Sequence, residues 1–135
     1  MKCNKVKRIL AGMHFAREDI AGTFAVRAYS ATGIRVGDTD FTCSLILSAS
    51  GVIDDWRPQH AHELQQDDFE PVLKLGPEIL LLGTGSTLAF PSPAITGQLL
   101  QSGIGVEVMD TAAACRTYNI LLSEQRHVVA ALLQV

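Results

Sequence analysis

Two stretches of this 135-residue chain combine residue types that could do chemistry. The first, Gly83-Thr84-Gly85-Ser86, follows a continuous apolar run from Glu78 to Leu82. Glycines at the end of a buried strand can turn bare N–H groups toward an anion, and open α/β sheets bind ligands beyond the carboxyl ends of their strands. Leu88 stands where a dinucleotide fingerprint needs its third glycine, and no Gly-Lys-Ser/Thr follows to make a phosphate loop. Two readings stand: a tight turn that needs a glycine at positive φ, or a cradle for a small anionic or polar ligand. The second stretch runs from Met109 to Asn119. Asp110 and Thr111 open a helix there, directly after another strand. Gly83, Thr84, Gly85, Asp110 and Thr111 are therefore expected at one edge of one sheet. Arg116, the only Lys or Arg between Lys74 and Arg126, joins them as a candidate binding residue; an ion pair with Glu107 or Asp110 is the simpler expectation.

The other reactive residue types do not assemble into a set. Cys115 would be a nucleophile only beside a base. The nearest histidine in sequence, His127, follows the helix and falls near its far end, so Cys115 is expected as a small buried apolar group. His60-Ala61-His62-Glu63 has metal-ligating residue types, but one triplet does not converge two imidazoles and a third ligand, and a surface loop is expected. Asp54-Asp55 and Asp67-Asp68 read as turn and cap acids. Trp56 reads as a core or edge anchor. No catalytic residue, metal set or cofactor is assigned.

The elements that would position the candidate site follow from local signals. From Thr23 the pattern alternates, with Phe24, Val26 and Ala28 on one face; turns at Thr32-Gly33, Gly37-Asp38 and Ala49-Ser50-Gly51 separate short strands, including one over Thr39–Leu47. This is an antiparallel meander that ends at Pro58. A short helix begins near Asp67-Asp68, tolerates Pro71 in its first turn and ends at Gly76-Pro77. Glu78–Leu82 is a strand apolar on both faces. Ser92 caps a helix with Pro93 at its first position, and Gly103 ends it. Ile104–Met109 is a strand, Asp110 caps a helix from Thr111 to about Gln125, and His127–Leu133 is the last strand. Two right-handed crossovers make this a parallel βαβαβ unit. Ala114, Tyr118, Leu121 and Leu122 form the apolar stripe of the last helix; Ala112, Arg116, Asn119 and Ser123 form another. The fold class is α+β, with a mixed sheet in a single domain over 21–135 and a flexible tail over 1–20.

Composition bounds the function. Hydrophobic residues make up 47% and charged residues 19%, which excludes general disorder and a coiled coil. No apolar run reaches the ~20 residues that span a bilayer. Residues 1–35 hold seven bases against two acids, and residues 36–135 hold four against twelve. So acidic a body does not match a phosphate backbone, and no nucleic-acid partner is expected. Three scattered cysteines without a CxxC spacing fit free thiols in a reducing compartment, and a cytoplasmic protein.

Pro77-Glu78-Ile79-Leu80-Leu81-Leu82-Gly83-Thr84-Gly85, then Phe90-Pro91, then the run Gly103–Leu121 with Met109-Asp110-Thr111-Ala112-Ala113-Ala114-Cys115-Arg116-Thr117-Tyr118-Asn119 at its centre, resemble a widespread family of small domains of unknown function. One branch of that family includes a mitochondrial assembly factor for respiratory complex I. The resemblance covers residues 23–134. It implies a mixed sheet, a projecting β-hairpin and helices packed on the sheet, with no established activity, no cofactor and no assigned binding residues. Two function classes are carried forward. One is a non-enzymatic binding or assembly module for a protein partner, which an exposed apolar patch would favour. The other is a small-ligand protein or enzyme using the crevice at Gly83–Ser86 and Asp110–Arg116, which a pocket with convergent polar groups would favour.

Overall fold

The computed structural model describes residues 5–7 and 24–134. Among the described residues nine strands form two sheets. Strands β1 (Lys5–Lys7), β2 (Val26–Ser30), β3 (Gly33–Val36) and β4 (Thr39–Phe41) make an antiparallel sheet in the order β1-β4-β3-β2. Strands β5 (Leu45–Ser48), β6 (Gly51–Ile53), β7 (Ile79–Gly83), β8 (Gly105–Met109) and β9 (Val128–Leu132) make a mixed sheet in the order β6-β5-β9-β7-β8. β7 is parallel to both β8 and β9, while β5 is antiparallel to β9 and β6. Helices α1 (Glu70–Leu75), α2 (Pro93–Gln101) and α3 (Thr111–Ser123) complete the α+β fold.

The expected run Thr39–Leu47 is not one strand. It breaks over Thr42–Ser44, and its two halves enter different sheets. Long-range hydrogen bonds fix the break: Ser44 C=O accepts from Trp56 N–H at 2.9 Å and Ser44 Oγ accepts from Gln134 N–H at 3.1 Å. Lys5–Lys7, which the sequence places in a tail, pair with β4; the rest of that stretch lies outside the described residues. Cys43 is disulfide-bonded, so the expectation of three free thiols does not hold.

The mixed sheet buries both faces, as period-2 alternation requires. Leu45, Leu47, Leu81, Ala130 and Leu132 meet Ala114, Cys115 and Tyr118 of α3 and Ile34, Val36 and Phe41 of the antiparallel sheet. Ile46, Leu80, Leu82, Val129 and Ala131 meet Leu99 of α2, Val72 of α1, Phe69 and Trp56. Each fully buried Leu or Val contributes about 1.5–3 kcal/mol relative to exposure. Trp56 anchors the second face as expected: its indole N–H donates to Asp68 C=O at 2.9 Å, and its ring meets Phe69 edge-on with centroids 5.7 Å apart.

The chain leaves β7 over one face through α2, reaches β8, and returns over the other face through α3 to β9. The loops after the neighbouring strands β7 and β8 therefore diverge to opposite faces. That is the switch point at which open α/β sheets form their crevice, and it brings Gly83–Ser86 beside Asp110-Thr111.

Candidate functional site

The local signals that define the two loops act as the sequence implies. Asp110 takes an extended conformation before α3, and its Oδ1 accepts from Ala113 N–H at 2.8 Å. Ser92 caps α2, accepting from Ala94 N–H at 3.3 Å. Gly85 has φ +98°, a region that other L-residues rarely adopt.

Between the loops, polar groups are joined to one another. Thr111 is fully buried. Its Oγ1 accepts from Gly85 N–H at 2.8 Å and donates to Leu133 C=O at 2.8 Å, while its N–H donates to Gly85 C=O at 2.9 Å. Thr84 N–H donates to Met109 C=O at 2.9 Å. Thr84 Oγ1 donates to Thr87 C=O at 2.7 Å and accepts from Ala89 N–H at 3.1 Å. Gly83 matters for a steric reason: a Cβ there would lie 2.9 Å from Thr111 Cα. Gly83, Thr84, Gly85, Asp110 and Thr111 thus come together at one sheet edge, with the loops packed directly against each other.

Arg116 stands apart. It is exposed and points along α3 toward the antiparallel sheet, where its Nη1 donates to the Tyr29 hydroxyl at 3.1 Å. That hydrogen bond raises the Arg116 pKa, with a smaller contribution from the Asp110 charge. The expected ion pair with Glu107 or Asp110 is replaced by this contact with Tyr29, because the polar stripe of α3 faces β2. On the same stripe Asn119 binds the backbone of Val26. Cys115 is fully buried, and burial pushes its thiol up to about 12; at neutral pH it is a protonated core side chain. His60 and His62 stack with centroids 5.6 Å apart, and both rings are exposed. Among the described residues no group of three His, Cys, Asp or Glu side chains converges as a metal site.

The feature least legible in the sequence lies just beyond the crevice. The loop from Ser86 to Ser92 carries Leu88, 53% exposed, and Phe90, 74% exposed. The 28 residues 79–106 contain no Asp, Glu, Lys, Arg or His. An uncharged span that holds a surface helix and a solvent loop is the sequence signal for this patch.

Similarity to known proteins agrees with the fold. The chain is 33% identical over 119 residues to NADH dehydrogenase (ubiquinone) 1 alpha subcomplex assembly factor 3 of Xenopus tropicalis, covering 85% of this chain and 63% of that protein. It therefore spans under two thirds of that assembly factor's length. It is 32% identical over 90 residues to a Francisella tularensis protein named 13 kDa major membrane protein, covering 66% of this chain and 73% of that one. The crystal structure of a Bordetella parapertussis protein superposes with a TM-score of 0.79 at 36% identity, covering 84% and 98% of the two chains. A Bartonella henselae structure described as an outer membrane protein gives 0.74 at 33% identity, covering 85% and 98%. Residues 26–133 match the family described as Protein of unknown function (DUF498/DUF598), and the chain belongs to that family.

Proposed function

We propose that this domain is a non-enzymatic protein-binding module that acts in the assembly of a membrane-associated complex. The observation that carries the reading is the apolar loop, in which Phe90 is 74% exposed within a span free of charge. A phenylalanine so exposed gains free energy on leaving water, and aromatic anchors dominate binding at interfaces. The crevice supports the same side of the choice: the hydroxyls of Thr84 and Thr111 are spent on hydrogen bonds within the chain, which leaves a ligand few convergent groups. The relatives named as an assembly factor and as membrane proteins add to it. With Cys43 in a disulfide, free thiols no longer point to a cytoplasmic site of action, and the compartment is no part of this proposal; among the described residues no helix is long and apolar enough to cross a membrane.

The test compares the tagged native chain with Phe90→Ser in the native cell. Captured proteins are identified by mass spectrometry, and membrane complexes are resolved by native electrophoresis. The expected outcome is loss of a stoichiometric partner with Phe90→Ser, at unchanged melting temperature, together with accumulation of a subassembly. Retention of every partner, or a retained metabolite displaced by substitutions at Asp110, overturns the reading.

A further inference from the structure

Strand β8 closes the mixed sheet on one side, and among the described residues no strand pairs with its outer edge. Gly105 N–H donates to Glu78 C=O and Met109 C=O accepts from Thr84 N–H, each at 2.9 Å. In the parallel ladder with β7, a residue that faces the neighbour directs both its backbone groups there, and alternate residues turn away. Gly105, Glu107 and Met109 therefore face β7. Val106 and Val108 turn their N–H and C=O groups outward.

Such an edge is a template for a further strand, and proteins commonly block it with charged side chains, above all Lys, or with Pro or a bulge. β8 has no Lys or Pro, and its register with β7 is unbroken over Ile79–Gly83. Its one charge is Glu107, which is exposed and has no ion-pair partner among the described residues. Glu107 lies on the α3 face of the strand with Met109. Val106 and Val108 lie on the opposite face, half-buried beside the uncharged helix α2.

We propose that β8 docks an extended segment of a partner protein, added antiparallel, with Lys or Arg opposite Glu107 and apolar residues opposite Val106 and Val108. This rests on the protein-binding reading above and assigns it a second contact and a partner chemistry. Pairing at Val106 and Val108 makes the residue opposite Glu107 a non-hydrogen-bonded neighbour, where side chains approach most closely. Opposite charges there stabilise the pair, and like charges destabilise it. The flanking apolar residues fall on the α2 side, where Val106, Val108 and α2 offer no charge. A second copy of this chain is the competing occupant: pairing Val106 of one copy with Val108 of the other sets Glu107 against its own equivalent, and only pairing Val106 with Val106, which sets Glu107 opposite Gly105, avoids that repulsion. The edge is thus selective for a basic, otherwise apolar β-segment.

The test uses the full-length, isotope-labelled chain and two peptides, acetyl-Thr-Val-Lys-Val-Thr-amide and its counterpart with Glu in place of Lys. At millimolar concentration the Lys peptide is expected to shift the amides of Val106 and Val108, and to bind at least about threefold more tightly than the Glu peptide. Glu107→Lys should reverse that preference. Val106→Pro removes an outward N–H that this sheet does not use, so the fold should persist by circular dichroism while peptide binding is lost. Absence of shifts on β8, equal binding of both peptides, or a dimer that Val106→Pro dissolves each overturns the proposal. In the capture experiment, a partner lost with Phe90→Ser but kept by Val106→Pro overturns the β8 edge and leaves the module reading standing.

Discussion

Asn119 holds the backbone of Val26 by both ends. Its Oδ1 accepts from Val26 N–H at 2.8 Å and its Nδ2 donates to Val26 C=O at 2.7 Å. β2 is the outer strand of the antiparallel sheet. The neighbouring Ala25 C=O accepts from Gly37 N–H, so the groups of Val26 turn away from β3. A single amide on α3 takes the place of the missing strand. One residue earlier, the Tyr118 hydroxyl donates to Phe24 C=O at 3.2 Å. Together these bonds clamp the antiparallel sheet to α3.

Asn119→Ala should therefore destabilise the domain by about 2 kcal/mol, because it leaves two half-buried backbone groups without partners. Asn119→Asp should recover at most half of that. It keeps the acceptor for Val26 N–H but sets a carboxylate oxygen against Val26 C=O. Urea unfolding of the three proteins measures the difference, with the slope of the transition checking that the fold is unchanged.

The parts of the fold set by local chemistry were legible in the sequence. Ser92 before Pro93, Asp110 before Thr111, and Gly76 with its φ of +59° mark helix ends through contacts within a few residues. Parallel pairing of β7 with β8, Gly83 opposite Met109, then brings Gly83 and Asp110 to one edge. What distant partners decide was not legible. Arg116 has Glu107 and Asp110 close by in sequence but bonds Tyr29, 87 residues away. Thr42–Ser44 carries the β-forming character of its neighbours, and only the bonds of Ser44 to Trp56 and Gln134 show that the chain changes sheets there. The closure of the crevice depends on Thr111 reaching Gly85 and Leu133, 26 and 22 residues distant.

Thr111 gives the second prediction. Thr111→Val keeps the shape but orphans Gly85 N–H and Leu133 C=O in a buried setting. The cost should be about 2–6 kcal/mol, from about 1–3 kcal/mol for each unsatisfied group. Thr111→Ser keeps both bonds and loses one methyl, so about 1 kcal/mol is expected. Chemical denaturation of the pair separates hydrogen bonding from packing. No loss for Thr111→Val would mean that the hydroxyl contributes nothing beyond its volume.

Cys115 should be inert in the folded protein. Its thiol is held near a pKa of about 12 by burial, with Arg116 opposing the shift weakly, so only a minute fraction is thiolate at pH 8. Peptide mapping after iodoacetamide treatment should find Cys115 unmodified in buffer and fully modified in denaturant. Labelling should rise with denaturant, following the equilibrium population of the open form.

Asp68 contributes to the acid side of stability. Burial raises its pKa, but the Arg57 guanidinium at 2.7 Å and the Gln65 N–H at 2.8 Å outweigh burial and hold the carboxyl below its ordinary value. A group whose folded pKa is depressed stabilises the native state fully above its unfolded pKa of about 3.9, and that contribution drains away as pH falls through the folded value. Wild-type protein should therefore lose stability steeply below about pH 4. Asp68→Asn should be less stable at pH 7, because it loses the ion pair and weakens the bond to Gln65 N–H. It should also show a flatter acid limb, since the titrating group is gone. Melting temperatures of both proteins between pH 3 and pH 7 test this. Parallel acid limbs would show that other carboxylates carry the acid sensitivity and that the Arg57–Asp68 contact is too exposed on the Arg57 side to count.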